Sequence, residues 1–178
     1  GYDKTPDLRP DAAGVSGVLV GLYHPRIRVL GADAATMLGR WGVRAGFLAK
    51  TMGIPDIDIR FVEAEPQHVQ WLREEIAANR PGDIKTTVIE AAISYAGRPV
   101  PFAIDLPQDN LDAGSWWGQA IVTWETAPET EETYFDRRVY RRPGGYGQIY
   151  VEATTIEAVT ADLDQIDFID MDLQGAEE

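Results

Sequence analysis

The 178-residue chain contains no cysteine and only two histidines. Disulfide scaffolds, thiolate zinc sites and cysteine nucleophiles are therefore excluded, and so is a multi-histidine metal centre. Basic residues are in deficit: 16 Lys and Arg stand against 29 Asp and Glu, a formal charge of −13. Such an excess of carboxylate repels phosphate backbones and anionic lipid headgroups, so neither nucleic acid nor membrane is expected as a partner. No apolar run approaches the roughly 20 residues that span a bilayer. No basic-apolar-small leader pattern opens the sequence, which makes cytoplasm the default address. What is present suits a globular chain: 44% hydrophobic and 25% charged residues supply one domain with a sizeable core at this length.

Residues 1–35 read as a lead-in, irregular at first around Pro6 and Pro10. Within it, residues 15–22 are apolar and glycine-punctuated, and Ile27-Arg28-Val29-Leu30 is a short β-branched segment; each fits a helix or an edge strand. The domain proper is expected over 36–178. Thr36-Met37-Leu38, then Gly39-Arg40-Trp41-Gly42, then residues 43–52 read as strand, glycine turn and helix, with Val43, Phe47, Leu48 and Met52 at helical spacing. Residues 57–62 form a buried strand with Glu63 at its carboxyl end. Pro66 opens a helix whose Val69, Leu72 and Ile76 share a face, and residues 86–91 form a third strand. β units joined by helices of this length predict right-handed crossovers and a mainly parallel sheet, an α/β fold.

The texture changes over 97–150. A strand at 99–104 precedes Trp116-Trp117, an acidic loop around Glu129 to Glu132 and the basic residues Arg137, Arg138, Arg141 and Arg142. This insertion is expected to cover one end of the sheet and to help build a binding site. A strand at 151–155, a helix at 156–163 and a strand at 168–173 carrying Asp170 and Asp172 complete the chain.

In an open parallel sheet ligands bind beyond the carboxyl ends of the strands. Three such ends stand out. Gly39 to Gly42 form either a backbone approach to a ligand or a plain tight turn. Glu63 is placed to accept ribose hydroxyls or to be a solvated glutamate. The run Ile166-Asp167-Phe168-Ile169-Asp170-Met171-Asp172-Leu173-Gln174-Gly175-Ala176-Glu177 puts carboxylates on an apolar strand, where burial is costly and function or pairing is the usual reason.

That terminal run resembles the hallmark of FkbM-type S-adenosylmethionine-dependent methyltransferases, whose fourth strand reads roughly I-D-F-I-K-I-D-V-E-G-A-E. Phe61-Val62-Glu63-Ala64-Glu65-Pro66 with Leu72 and Asn79 resembles the family's acid-and-proline motif. Val88-Ile89-Glu90-Ala91-Ala92-Ile93-Ser94 resembles its third-strand motif, and Thr154-Thr155-Ile156 the approach to the helix before the hallmark strand. The resemblance spans about 36–177 and is weakest across the insertion. It implies a Rossmann-like class I methyltransferase sheet, S-adenosyl-L-methionine as cofactor, no metal, and O-methylation of a hydroxyl on a small-molecule acceptor such as a sugar or secondary metabolite. It further implies that Gly39, Trp41 and Gly42 face the methionine part of the cofactor, that Glu63 and Ala64 lie at the ribose, and that Ala91 and Ala92 lie by the adenine. Asp172, with Gln174, would sit at the methyl group and the acceptor, where a carboxylate orients or deprotonates a hydroxyl. The chain departs from the family at Met37, where an acid is usual, at Asp170, where lysine is common, and at Gln174, where glutamate is common. These departures motivate an alternative, a non-catalytic domain kept as an interaction module. A nicotinamide-dependent oxidoreductase, which also uses an acid after its second strand, is a third reading.

Trp116 and Trp117 read as an aromatic wall or as packing within the insertion. His68 is expected at the surface, His24 is undecided, and the arginine-rich segment is expected to be an ion-paired hairpin. The family's sheet continues beyond its hallmark strand, so the Asp172 strand is expected as an apolar edge, covered by a partner, a second copy or residues 15–30.

Overall fold

The computed structural model describes residues 26–33, 40–79, 82, 84–104, 120–122, 129–141 and 147–172. Its architecture is mixed α/β. A four-stranded sheet carries, in spatial order, β10 (Phe168–Asp172), β1 (Arg26–Asp33), β2 (Asp56–Glu63) and β3 (Lys85–Glu90). All its neighbours run parallel. The chain winds from β1 outward to β3, then returns to lay β10 on the other side of β1. The switch point therefore falls between β1 and β10, where open parallel sheets form their crevice.

β2 is buried from Ile57 to Glu63, as expected of an inner parallel strand covered on both faces. Ile57, Ile59 and Phe61 share a cluster with Val43, Ala45 and Ala49 of helix α1 (Arg40–Thr51) and Leu72 of helix α2 (Pro66–Asn79). The alternate residues Asp58, Arg60 and Val62 turn to the opposite face. There Val62 packs with Val159 of the short helix α3 (Ile156–Thr160). Arg60 donates to the Val159 carbonyl and to both oxygens of Asp162, and lies 3.3 Å from Asp58; Lys85 reaches Asp58 at 2.8 Å.

Local chemistry sets the helix ends. α1 stops in a Schellman arrangement: the Gly53 N–H bonds the Lys50 carbonyl at 2.9 Å and the Ile54 N–H the Ala49 carbonyl at 3.1 Å, with Gly53 at φ 79°. Glu65 caps α2, its carboxylate accepting the His68 N–H at 2.6 Å, and Pro66 occupies the first helical position, where no N–H is needed. Thr155 caps α3 by accepting the Ala158 N–H at 3.1 Å.

A second, antiparallel sheet has the order β5 (Val100–Ile104), β8 (Gly147–Val151), β7 (Arg137–Arg141) and β6 (Glu129–Tyr134). A parallel pair, β4 (Ala92–Ile93) with β9 (Ala153–Thr154), extends the chain that leaves β3. The expectation of one mainly parallel sheet thus holds for the first sheet only. The insertion builds a sheet of equal strand number, with its own core around Phe102, Ile104, Val139, Ile149 and Val151. Its acidic stretch is a strand rather than a loop: Arg141 pairs with Glu132 at 2.8 Å across the β6–β7 hairpin. That ion-paired hairpin was expected.

Two boundaries also move. The supposed lead-in supplies β1, an inner strand, so the folded unit begins at residue 26 or before rather than at 36. The strand expected at 36–38 lies outside the described residues, and Arg40, Trp41 and Gly42 belong to α1 rather than to a turn. β10 is paired on one side by β1 and is the edge of its sheet among the described residues.

Candidate functional site

Four carboxylate residues close the parallel strands at one end: Asp33 on β1, Glu63 on β2, Glu90 on β3 and Asp172 on β10. The register aligns them. Asp33 is opposite Asp172, Glu63 is opposite Glu90, and Asp33 follows the Ala32–Val62 pair directly. At the usual strand spacing Glu63 and Asp172 stand two strands, or about 10 Å, apart.

Around Glu63 the packing is tight. Its carbonyl accepts the Ala91 N–H at 3.0 Å, and its Oε1 accepts the Glu65 N–H at 2.8 Å. The imidazole of His68 reaches its Oε2, with Nδ1 at 3.7 Å. Burial pushes the Glu63 carboxyl up from its ordinary value, against the opposing pull of His68 and the Glu65 amide. Glu65 is fully buried, and its Oε1 has no hydrogen-bond partner among the described residues. Ala64, Ala91 and Ala92 are buried as well, Ala64 and Ala92 in the core that runs into the second sheet.

Glu90 joins the two sheets. It pairs with Arg73 of α2 at 3.4 Å and with Arg137 of β7 at 2.5 Å. A groove of about 450 Å³ opens here, bordered by Pro66, Arg73, Glu90 and Phe135. The β6–β7 turn that presents Phe135 has two residues at positive φ, Phe135 at 48° and Asp136 at 62°.

The site residues read from the sequence divide in three. Glu63, Ala64, Ala91 and Ala92 come together at the ends of β2 and β3. Asp172 stands at the end of β10, level with them across β1. Gly39, Gln174, Met37, Trp116, Trp117, His24 and Arg142 lie outside the described residues. Trp41 is the second residue of α1, and Gly42 packs against Phe61 and Ile59, a close helix-to-sheet contact in place of the turn expected there.

Sequence reasoning missed three residues. His68 is buried at 4% exposure, not on the surface, because α2 turns it toward Glu63 and Glu65. Its position four residues before Leu72 and eight before Ile76 was the available signal, since that spacing shares a helix face. Glu65, directly ahead of Pro66, stands where an N-cap belongs. Asp33 closes β1 as Glu63 closes β2, but its strand was not recognised.

Among the described residues no helix is long and apolar enough to cross a membrane, and no group of three or more metal-ligating side chains gathers. Comparison with family models, curated proteins and solved structures found no match.

Proposed function

We propose that the chain carries an S-adenosylmethionine-dependent methyltransferase domain of FkbM type, O-methylating a hydroxyl of a small-molecule acceptor. The observation that carries this reading is the register that brings Asp33, Glu63, Glu90 and Asp172 to the same ends of the parallel strands, around the switch point, with a buried carboxylate oxygen, Glu65 Oε1, that has no hydrogen-bond partner among the described residues. Strand order β10-β1-β2-β3 is that of the central part of a Rossmann-like sheet.

The residues present fit the cofactor. Ribose hydroxyls are donors and suit Glu65 Oε1, so Glu65 takes the ribose role that the sequence assigned to Glu63, whose Oε1 already serves the Glu65 amide. Ala91 and Ala92 suit the adenine edge, being small, and their backbone is held by the Glu63 and Glu152 carbonyls. Bound S-adenosylmethionine supplies an electrophilic methyl group. Asp172, at the far side of the crevice, orients the acceptor hydroxyl and takes its proton, and Asp33 opposite it adds a second carboxylate residue at that level.

Calorimetric titration with S-adenosylhomocysteine, with NADH as the competing cofactor class, tests the reading. Binding of the first and not the second supports it, and methyl transfer lost in D172N completes it. Binding without transfer to any hydroxylated acceptor favours the interaction module instead.

A further inference from the structure

The groove beside Glu90 is walled on one side by a single face of α2, where Pro66, Gln70, Arg73 and Ala77 recur at helical spacing. Its other borders are Glu90, at the end of β3, and Phe135, in the β6–β7 turn. Its volume of about 450 Å³ falls among small-molecule sites, which run from about 300 to 1,000 Å³.

Backbone strain holds an aromatic ring at this border. Phe135 and Asp136 stand in succession at φ 48° and 62°, a region that bulky side chains avoid and that recurs where a ligand is held. The Tyr134 ring meets that of Phe135 edge-on, at 5.0 Å and 67°, yet Phe135 stays 40% exposed instead of joining a core. Directly after the turn, Arg137 ties the hairpin to Glu90.

The polar groups of the groove form a matched set. Glu90 Oε1 takes Arg137 at 2.5 Å, while its Oε2 is met by Arg73 Nη2 at 3.4 Å, longer than the about 2.7–3.2 Å of an ordinary N–H···O bond. Among the described residues, Arg73 and Glu90 Oε2 therefore present a donor and an acceptor side by side, each with capacity to spare. Glu74, the other carboxylate on the groove, accepts the Gln70 amide at 2.8 Å. The charges of Arg73 and Arg137 cancel those of Glu74 and Glu90. An anion approaching Arg73 meets Glu90, and a cation approaching Glu90 meets Arg73, so the groove suits a neutral ligand.

We propose that this groove binds a neutral planar ring with an amide-type edge, an aromatic carboxamide or an amino-substituted nitrogen heterocycle. The ligand's N–H donates to Glu90 Oε2, its carbonyl oxygen or ring nitrogen accepts from Arg73, and its ring packs on Phe135. This assignment does not rest on the cofactor reading above.

Amide NMR titrations of the isotope-labelled full chain with benzamide and with benzoate test it, because the two share a shape and differ in the edge. Benzamide should give saturable shifts at Arg73, Glu90 and Phe135 with a Kd of about 1 mM, in keeping with so small a ring. Benzoate, which has no N–H for Glu90, should bind about tenfold more weakly. F135N, whose asparagine tolerates the left-handed region, should lose about tenfold of the benzamide affinity. R73M, which leaves the Glu90–Arg137 pair intact, should lose about as much, and E90Q should bring benzoate level with benzamide. If the spectrum of E90Q shows a displaced hairpin, F135N and R73M decide. Benzoate binding to wild type as tightly as benzamide, shifts away from the groove, no saturable binding, or wild-type affinity in both F135N and R73M would each overturn the assignment. The adenine of S-adenosylhomocysteine carries the same kind of edge. Displacement of benzamide by it identifies the ring as the cofactor's and simultaneous binding identifies a separate ligand; both sustain the groove. Benzamide binding with no binding of S-adenosylhomocysteine overturns the cofactor reading alone, and the reverse result overturns the groove alone.

Discussion

The ring of Phe61 occupies the place where a side chain on Gly42 would begin: a Cβ there would stand 2.5 Å from Phe61 Cε1 and 2.9 Å from Cζ. Because Phe61 is a rigid, buried ring on β2, neither partner has room to give. G42A is expected to cost about 2 kcal/mol, overpacking outweighing the helix propensity of alanine. Gly46, one turn on, meets the flexible ends of Ile59 and Ile84 at 2.6 and 3.0 Å. G46A should therefore be much nearer neutral, and urea unfolding of the two variants reads the difference.

On the opposite face of β2 the Arg60 guanidinium is buried between Asp58 and Asp162, its side chain 8% exposed. R60A strands Asp58 with Lys85 alone and should destabilise by about 3 kcal/mol, while R60M recovers part of that through packing. The Arg60 bond holds the Asp162 carboxyl down at about 2. A depressed carboxyl contributes stability above its ordinary value and loses it as the pH falls through the folded value. D162N should therefore lack the part of the wild-type stability loss that falls between about pH 4 and pH 2.

Glu63 has the opposite sign. Burial raises its carboxyl, so the wild type gains stability when this group is protonated and loses it as the pH rises through the raised folded value. E63Q stays neutral throughout. Its midpoint of thermal unfolding should match wild type near pH 4 and exceed it increasingly toward pH 8.

The β6–β7 turn holds Phe135 and Asp136 in the left-handed region, which costs a bulky residue about 1 kcal/mol. Asn-Gly is the sequence such a two-residue turn favours. F135N/D136G should raise stability by about 1 kcal/mol, while removing an aromatic border of the groove beside Glu90. Equal or lower stability in differential scanning calorimetry would show that the Phe135 contact outweighs the strain.

Much of the fold near the site is legible in the sequence because local chemistry and tertiary packing agree there. The apolar run ending in Glu63, the Pro66 start and the Val69-Leu72-Ile76 face all form as read. β1 is not legible, because Arg26-Ile27-Arg28-Val29-Leu30 is short and mixes arginine with β-branched residues. What makes it an inner strand is pairing with β2 and β10, more than a hundred residues apart in the chain. β6 reads as a loop because Glu-Thr-Glu-Glu has poor strand propensity; its cross-strand arginine supplies the compensation. The motif holds two glutamates, and the sequence does not tell apart their local tasks; only the folded geometry shows that Glu63 accepts the Glu65 N–H while Glu65 caps α2 by accepting the His68 N–H.

The central claim is that the strand ends around Glu65 and Asp172 form one cofactor crevice. Amide NMR spectra of the isotope-labelled chain, recorded with increasing S-adenosylhomocysteine, test it most directly. Expected are saturable shifts largest at Asp33, Glu65, Ala91, Ala92 and Asp172, and abolished in E65A. Unchanged spectra, or shifts confined to the β5–β8 sheet, would contradict it.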